Sequence, residues 1–380
     1  MDITGLLQLL IQGLSTTKPC ERQLLIRFRT HEQYEQCSEV LHELEASRSE
    51  LADIRKVPLI DGWVYPARTD FDSTLLSTAY DVIVEEDIHL SMHAVSQRPV
   101  SWERGIPWGV KHIKAPQAWS TTTGYRVHIG VIDTGADFHH PDLRHSLTRG
   151  INLIQRGLPP HDDNGHGTHI AGTIAAANQM YGIIGVAPRA IIHPVKAFDE
   201  NGAAFVSDII QGIDWCVRHG MNIINMSFGM KTRSKSLLTA VTNAYNAGVT
   251  VVASSGNDAK RKSIDYPARY LQTISVGATD RIRKIASFSN RGRYVDIYAP
   301  GDKIVSAWIK GKYHEMSGTS MATSHVSGAI ALLLAMKPDL KPGEIKTLLR
   351  RSASPMRSRN TTSRSLGEID VMRLLKEAER

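Results

Sequence analysis

Read for periodicity alone, the chain alternates in its first quarter and stops alternating afterwards. ERQLLIRFRT (21–30) switches between apolar and polar side chains as a half-buried strand does. HEQYEQCSEVLHELEAS (31–47) places Tyr34, Cys37, Val40, Leu41 and Leu44 on one stripe of a helix. Short strands over 54–60 and 62–65, a helix around 71–79 and the strand DVIVEED (81–87) complete the order β-α-β-β-α-β, that of a small α+β, ferredoxin-like unit. Ahead of it, MDITGLLQLLIQGL predicts a short amphipathic helix packed on the next unit. It is too short to span a bilayer, and Asp2 stands where a secretory leader would be basic. Residues 91–105 lose periodicity and read as a linker.

From about residue 106 the apolar runs become short and nearly continuous, which predicts strands of a parallel sheet covered on both faces. They are RVHIGVI (126–132), AIIHPVKAF (190–198), NIINMSF (222–228), VTVVASS (249–255) and QTISVGA (272–278). Helices are predicted over 167–177, 207–218, 237–247 and 319–336, the last apolar nearly all round and so expected inside the core. KPDLKPGEIKTLLRRSA predicts a surface helix and SRSLGEIDVMRLLKEAER a closing strand and helix, with the basic loop PMRSRNTTSRS between them. The expected fold class is α/β, a three-layer sandwich with a mostly parallel central sheet. The divisions are an apolar extension (1–20), the α+β unit (21–90), the linker (91–105) and the α/β domain (106–380).

Composition narrows the classes. With 42% hydrophobic and 22% charged residues the chain can bury a core, which excludes disorder, collagen and coiled coil. A formal charge of +7 over 380 residues is too diffuse for a nucleic-acid binder. Cys20, Cys37 and Cys216 have no CxxC spacing, so neither a disulfide framework nor a zinc cage is supported. A reducing compartment, the cytoplasm, is expected, the alternative being export by an unconventional route.

In an open α/β sheet the reacting groups sit past the carboxyl ends of strands and at helix starts. Asp133 in IGVIDTGAD follows a buried strand, His166 in DDNGHGTHIAGT opens a helix, and Ser320 in EMSGTSMATSHVSG opens the core helix. Each alone could equally be a turn or cap residue. Together they supply what acyl transfer needs: a hydroxyl to attack, an imidazole to take its proton and return it to the leaving group, and a carboxylate to orient the imidazole. Gly165, Gly167 and Gly318 lack a Cβ, so backbone and substrate can approach closely there. Asn257 in VVASSGND offers a side-chain amide which, with the Ser320 N–H, can bind the oxyanion of the tetrahedral intermediate.

IDTGAD, GHGTHIAG, SSGN and GTSMATSHVSG, in the order Asp, His, Ser, resemble the motifs of the subtilisin-like serine proteases over about residues 105–355. The resemblance implies a subtilisin-like three-layer sandwich and a serine endopeptidase whose chemistry requires no cofactor. It implies that a peptide binds as an added strand between Gly202-Ala203-Ala204 and Ser227-Phe228-Gly229. It also places Asp258 and Asp265 at the primary pocket, where two carboxylates predict a preference for Lys or Arg at the cleaved residue. Residues 21–90 resemble the family's propeptide, which implies a zymogen: the unit assists folding, its tail fills the active site, and it is cut off between His93 and Arg104. The expected partners are polypeptide substrates and the chain's own propeptide, with no nucleic acid and no membrane span. Asp142 and Gln179 resemble part of the family's structural calcium site. Gln179 stands where a shorter Asn is usual, and Arg104 lies near the position of another oxygen donor. Two other classes remain open at this point, a catalytically silent relative that binds peptide, and an esterase or acyltransferase with the same nucleophile.

Overall fold

The computed structural model describes residues 1–15, 22–92, 96–102, 105–178, 180–356 and 367–380. Helix α1 (Ile3–Gly13) starts at Asp2, whose side chain accepts from Gly5 N, and turns Leu6, Leu7 and Leu10 inward. These leucines share a core with the unit that follows, and Tyr65 Oη donates to Leu10 O at 2.7 Å. That unit contains β1 (Arg22–Phe28), α2 (His31–Glu45), β2 (Arg55–Val57), β3 (Gly62–Ala67), α3 (Thr74–Ala79) and β4 (Val82–Glu86). Its sheet is antiparallel with order β2-β3-β1-β4. The strand expected over 54–60 stops at Val57, because Pro58 has no N–H for the ladder and a 3-10 turn takes over through Ile60.

Two further strands, β5 (His89–Ser91) and β6 (Ser96–Val100), lie in and beside the segment expected to be an aperiodic linker, and there the expectation is corrected. The side chains of β6 are mostly exposed, so backbone pairing holds it and no apolar alternation marks it. Pro99 is tolerated because β6 is the edge of its sheet.

Beyond them come α4 (Trp108–His112), α5 (Ala115–Ala118), β7 (His128–Asp133), β8 (Ile151–Asn152), α6 (His166–Ala175), β9 (Ile191–Lys196), β10 (Ala203–Phe205), α7 (Val206–Arg218) and β11 (Ile223–Met226). They are followed by α8 (Lys235–Asn246), β12 (Thr250–Ser254), β13 (Thr273–Thr279), β14 (Ile297–Pro300), β15 (Ile304–Trp308), β16 (Lys312–Ser317), α9 (Thr319–Met336), α10 (Pro342–Ser352), β17 (Ser354–Pro355), β18 (Gly367–Glu368) and α11 (Val371–Ala378). The central sheet runs β17-β18-β14-β13-β12-β11-β7-β9-β8 and is parallel except for the β17–β18 pair. One core packs α6 and α9 on one face, and a second packs α7 and α8 on the other, which gives the expected three layers. Helix α9 is long and apolar enough to cross a membrane, yet 89% of it is buried in this protein, so its composition is that of a core helix. Most of the basic loop between α10 and β18, residues 357–366, lies outside the described residues, as does Cys20.

The second core also takes Leu25, Val57, Ile60 and Val64, so the N-terminal sheet packs on α7 and α8. Each such side chain is worth roughly 1.5–3 kcal/mol when fully buried, which makes this an apolar interface and not an incidental touch. Two carboxylates, one near the end of β4 and one just past it, finish it. Glu85 accepts from Ser234 Oγ, Lys235 N and Ser236 N at the start of α8, and Asp87 accepts from Ser207 N at the start of α7. Both complement unpaired amides and the positive helix ends.

The chain then crosses the α/β domain. β5 pairs antiparallel with β10, Ser91 opposite Ala203 and Leu90 opposite Ala204, and Met92 N donates to Gly202 O at 2.7 Å. β6 pairs antiparallel with β16, Ser96 opposite Ser317.

Candidate active site

β7 delivers Asp133 to the carboxyl edge of the sheet, fully buried. Its Oδ1 accepts from His166 Nδ1 and from Thr134 N, each at 2.8 Å. Among the described residues its Oδ2 has no hydrogen-bond partner. A carboxylate that only accepts fixes the proton of His166 on Nδ1 and leaves Nε2 free to act as a base. Burial pushes the His166 pKa down, but the charge and hydrogen bond of Asp133 outweigh it and hold the imidazole above its ordinary value.

His166 can open α6 this close to the end of β7 because of its flanking glycines. Gly165 has φ +114°, and a Cβ there would stand 2.3 Å from the Trp308 ring; one at Gly167 would stand 2.1 Å from Gly135 O. Gly318 differs, since a Cβ there would meet no protein atom nearer than 3.5 Å, the closest being Asn257 Nδ2.

Asp162, which carries no catalytic signature in the sequence, braces this corner. Its Oδ1 accepts from Thr134 Oγ1, Gly165 N and Asn164 N, and its Oδ2 from Thr168 N and Oγ1, all between 2.6 and 3.0 Å. It ties the residue after Asp133 to the helix that carries His166. The available signal was an acidic residue just ahead of a helix start, a capping pattern. Lys196 supports the same corner, donating to Thr134 O and Asp163 Oδ1. His169 is structural: its Nε2 is shared by the carbonyls of Ile304 and His314, and burial drops its pKa to about 3.

Ser320 lies in the first turn of α9, where its N–H has no intrahelical acceptor. Its Oγ donates to Ser227 O at 2.6 Å, and no hydrogen bond joins it to the His166 ring among the described residues. The structure therefore makes the aspartate–imidazole link and holds the serine hydroxyl on a neighbouring carbonyl. Releasing that hydroxyl costs about 1 kcal/mol, the net worth of one hydrogen bond. Asn257 is anchored through Oδ1, which accepts from Thr319 N at 2.9 Å and Thr319 Oγ1 at 2.8 Å. That turns Nδ2 toward the start of α9, 3.5 Å from where a Cβ of Gly318 would be. An amide donor and a helix-start N–H on one side of a serine can stabilise a developing oxyanion.

A cavity of about 360 Å³ opens beside Ser320. Its walls include Ser227, Phe228, Gly229, Asn257, Asp258 and Asp265, and the chain's own segment Ile88–Ser91. Of the two expected substrate strands, Gly202, Ala203 and Ala204 engage that segment by backbone pairing. Ser227, Phe228 and Gly229 line the cavity without a backbone hydrogen bond to it among the described residues. Asp258 and Asp265 converge as expected, but Lys231, which the sequence reading did not use, is bonded to both.

At Asp142, Oδ1 accepts from Asn178 Nδ2, and Oδ2 accepts from Ile183 N and Tyr313 Oη. Both oxygens are turned to hydrogen donors, whereas a hard cation needs converging oxygens without such donors. No group of three or more His, Cys, Asp or Glu side chains placed to hold a metal occurs among the described residues. Gln179 and Arg104 lie outside the described residues. The described side chains here do not fit a calcium ion.

The subtilase family model matches residues 124–368. An alkaline protease of Alkalihalobacillus alcalophilus is 38% identical over 323 residues, 85% of this chain and 78% of its own. Subtilisin Savinase of Lederbergia lenta is 42% identical over 258 residues, 68% of this chain and 94% of its own. Subtilisin E of Bacillus subtilis strain 168 is 41% identical over 283 residues, 73% and 71%. Subtilases need no cofactor for catalysis, and they act on polypeptides. With the matched region running from just before β7 to β18, around the whole parallel sheet, the chain belongs to the subtilase family and is a serine endopeptidase.

Proposed function

We propose that the chain is made as a self-inhibited zymogen that cuts itself once and then hydrolyses other polypeptides with Asp133, His166 and Ser320. In this reading His166 Nε2 takes the Ser320 proton as Oγ attacks the scissile carbonyl, Asn257 Nδ2 and Ser320 N–H bind the oxyanion, and the imidazolium then gives its proton to the leaving amine. Water repeats the sequence on the acyl-enzyme. The observation that carries the zymogen is the pairing of residues 89–91 on β10, with Met92 N on Gly202 O, and of residues 96–100 on β16, where Ser317 is three residues before Ser320. Strands on either side of the nucleophile, ending at Met92 and resuming at Ser96, support reading the chain between them as the first substrate. In this reading the cut falls between His93 and Ser96, residues 93–95 lying outside the described ones. The 323-residue alignment with the alkaline protease supports a shared N-terminal unit, since of 380 residues it leaves too few outside to omit all of residues 22–86.

The test is covalent labelling with a fluorophosphonate. About one label per processed chain, recovered on the peptide containing Ser320, is expected; a processed and folded protein that takes no label would refute the reading.

After the cut, the unit is held by its apolar face and by Glu85, and Asp87 makes that hold depend on pH. Asp87 Oδ2 is out of contact with water and unpartnered among the described residues, and burial raises its pKa to about 6. Burial also raises the pKa of neighbouring Asp208, in spite of its ion pair with Arg55. The sign follows from the raised acid: docking carries no penalty from Asp87 below about pH 4, and the penalty grows to roughly 2–3 kcal/mol above pH 6. Processed enzyme on gel filtration should retain its N-terminal fragment better at pH 5 than at pH 7.5. Asp87→Asn should flatten that difference, and an unchanged pH dependence would remove Asp87 from the account.

A preference for Lys or Arg, expected from Asp258 and Asp265, holds in this reading only for a substrate cation that displaces Lys231. Calcium at Asp142 is given no role, for the reason of donor chemistry above. Cys37 and Cys216 are buried free thiols, which fits action in the reducing cytoplasm.

A further inference from the structure

The cavity beside Ser320 contains a lysine that the peptidase chemistry does not use. Lys231 follows Met230 on the same wall as Ser227–Gly229, and its Nζ donates to Asp265 Oδ1 at 2.7 Å, to Asp265 Oδ2 at 3.0 Å and to Asp258 Oδ2. It is the one Lys or Arg lining this cavity among the described residues. The Asp265 side chain is 8% exposed and that of Lys231 50%, so the carboxylate is cut off from water while the ammonium reaches it from the open side.

We propose that Lys231 sets the primary specificity of this enzyme: it is the built-in counter-ion of the Asp258–Asp265 pair, so the pocket accepts uncharged side chains and discriminates against Lys and Arg. The inference rests on the cavity being the primary pocket of the peptidase proposed above. An incoming ammonium or guanidinium must shed its water and then finds both carboxylates already paired. Exchanging one cation for another returns nothing for that desolvation. An uncharged side chain leaves the pair intact and contributes its apolar burial. Sequence alone reads the two acids the other way, because their counter-ion lies 27 and 34 positions earlier in the chain.

Two chromogenic peptides decide it, each carrying Leu-Ser-Met, the sequence of residues 90–92, ahead of either lysine or norleucine at the cleaved position. The two differ only by the terminal ammonium. Processed wild-type enzyme should show the higher kcat/KM on norleucine. Lys231→Met should raise the lysine-to-norleucine ratio on the order of 10- to 100-fold, the worth of a hydrogen-bonded charge pair. Adding Asp258→Asn and Asp265→Asn to that variant should bring the ratio back down. A wild type that prefers lysine, or a Lys231→Met enzyme with the wild-type ratio, overturns the inference. If Lys231→Met fails to fold, Lys231→Arg keeps the charge and must keep the norleucine preference; a switch to lysine in that variant counts as refutation. Wild type and Ser320→Ala equally inert on both peptides would overturn the peptidase reading and this inference together, whereas a wrong ratio in an active enzyme overturns the inference alone.

Discussion

Ser320→Ala is expected to lower peptide hydrolysis by on the order of 10⁴–10⁶-fold while leaving the fold in place; the range is one already measured on a subtilisin and is carried over from the family. The variant should fold because the hydroxyl makes a single side-chain donation, to Ser227 O, whose loss costs about 1 kcal/mol. Its neighbours stay anchored, since Asn257 is held by Thr319. Turnover assays beside thermal melts separate the two effects. A Ser320→Ala enzyme with near wild-type turnover would mean that another group attacks.

The second large effect is at Asp133. Asp133→Ala should lower kcat by on the order of 10⁴-fold, again a magnitude known from the aspartate of a subtilisin. The structure adds a direction that a merely structural role would not give. Burial alone pushes the His166 pKa down, and Asp133 holds it up. Removing the carboxylate should therefore move the acid limb of the residual kcat/KM profile to lower pH, because the imidazole then loses its proton more readily. A limb that stays in place, or moves to higher pH, would show that Asp133 does not govern the imidazole.

The parallel sheet and its helices were legible because burial on two faces writes continuous apolar runs, as in HIGVID and TVVAS. The four catalytic-motif residues were legible because each sits where a strand ends or a helix begins, and such sites have few sequence solutions. Strands β5 and β6 were not, since strand addition uses backbone groups and leaves the side chains of SQRPV free to be polar. β16 also escaped, since it mixes exposed Lys312 with buried Met316 and Ser317 without clean alternation. Asp162 and Lys231 show the limit at the site itself. Each is an ordinary loop residue in sequence, and its importance comes from partners brought together only by folding: Thr134 and Thr168 for the first, Asp258 and Asp265 for the second. Asp142 shows the reverse case, in which a recognisable position has its oxygens taken by Asn178, Ile183 and Tyr313.

Intact-mass spectrometry of the purified protein beside Ser320→Ala tests most directly whether the chain between β5 and β6 is the enzyme's own first substrate. Wild type should resolve into two fragments joined originally between His93 and Ser96, and Ser320→Ala should remain a single 380-residue chain. Wild type that stays whole while hydrolysing peptides, or a Ser320→Ala preparation cut at the same bond, would contradict it.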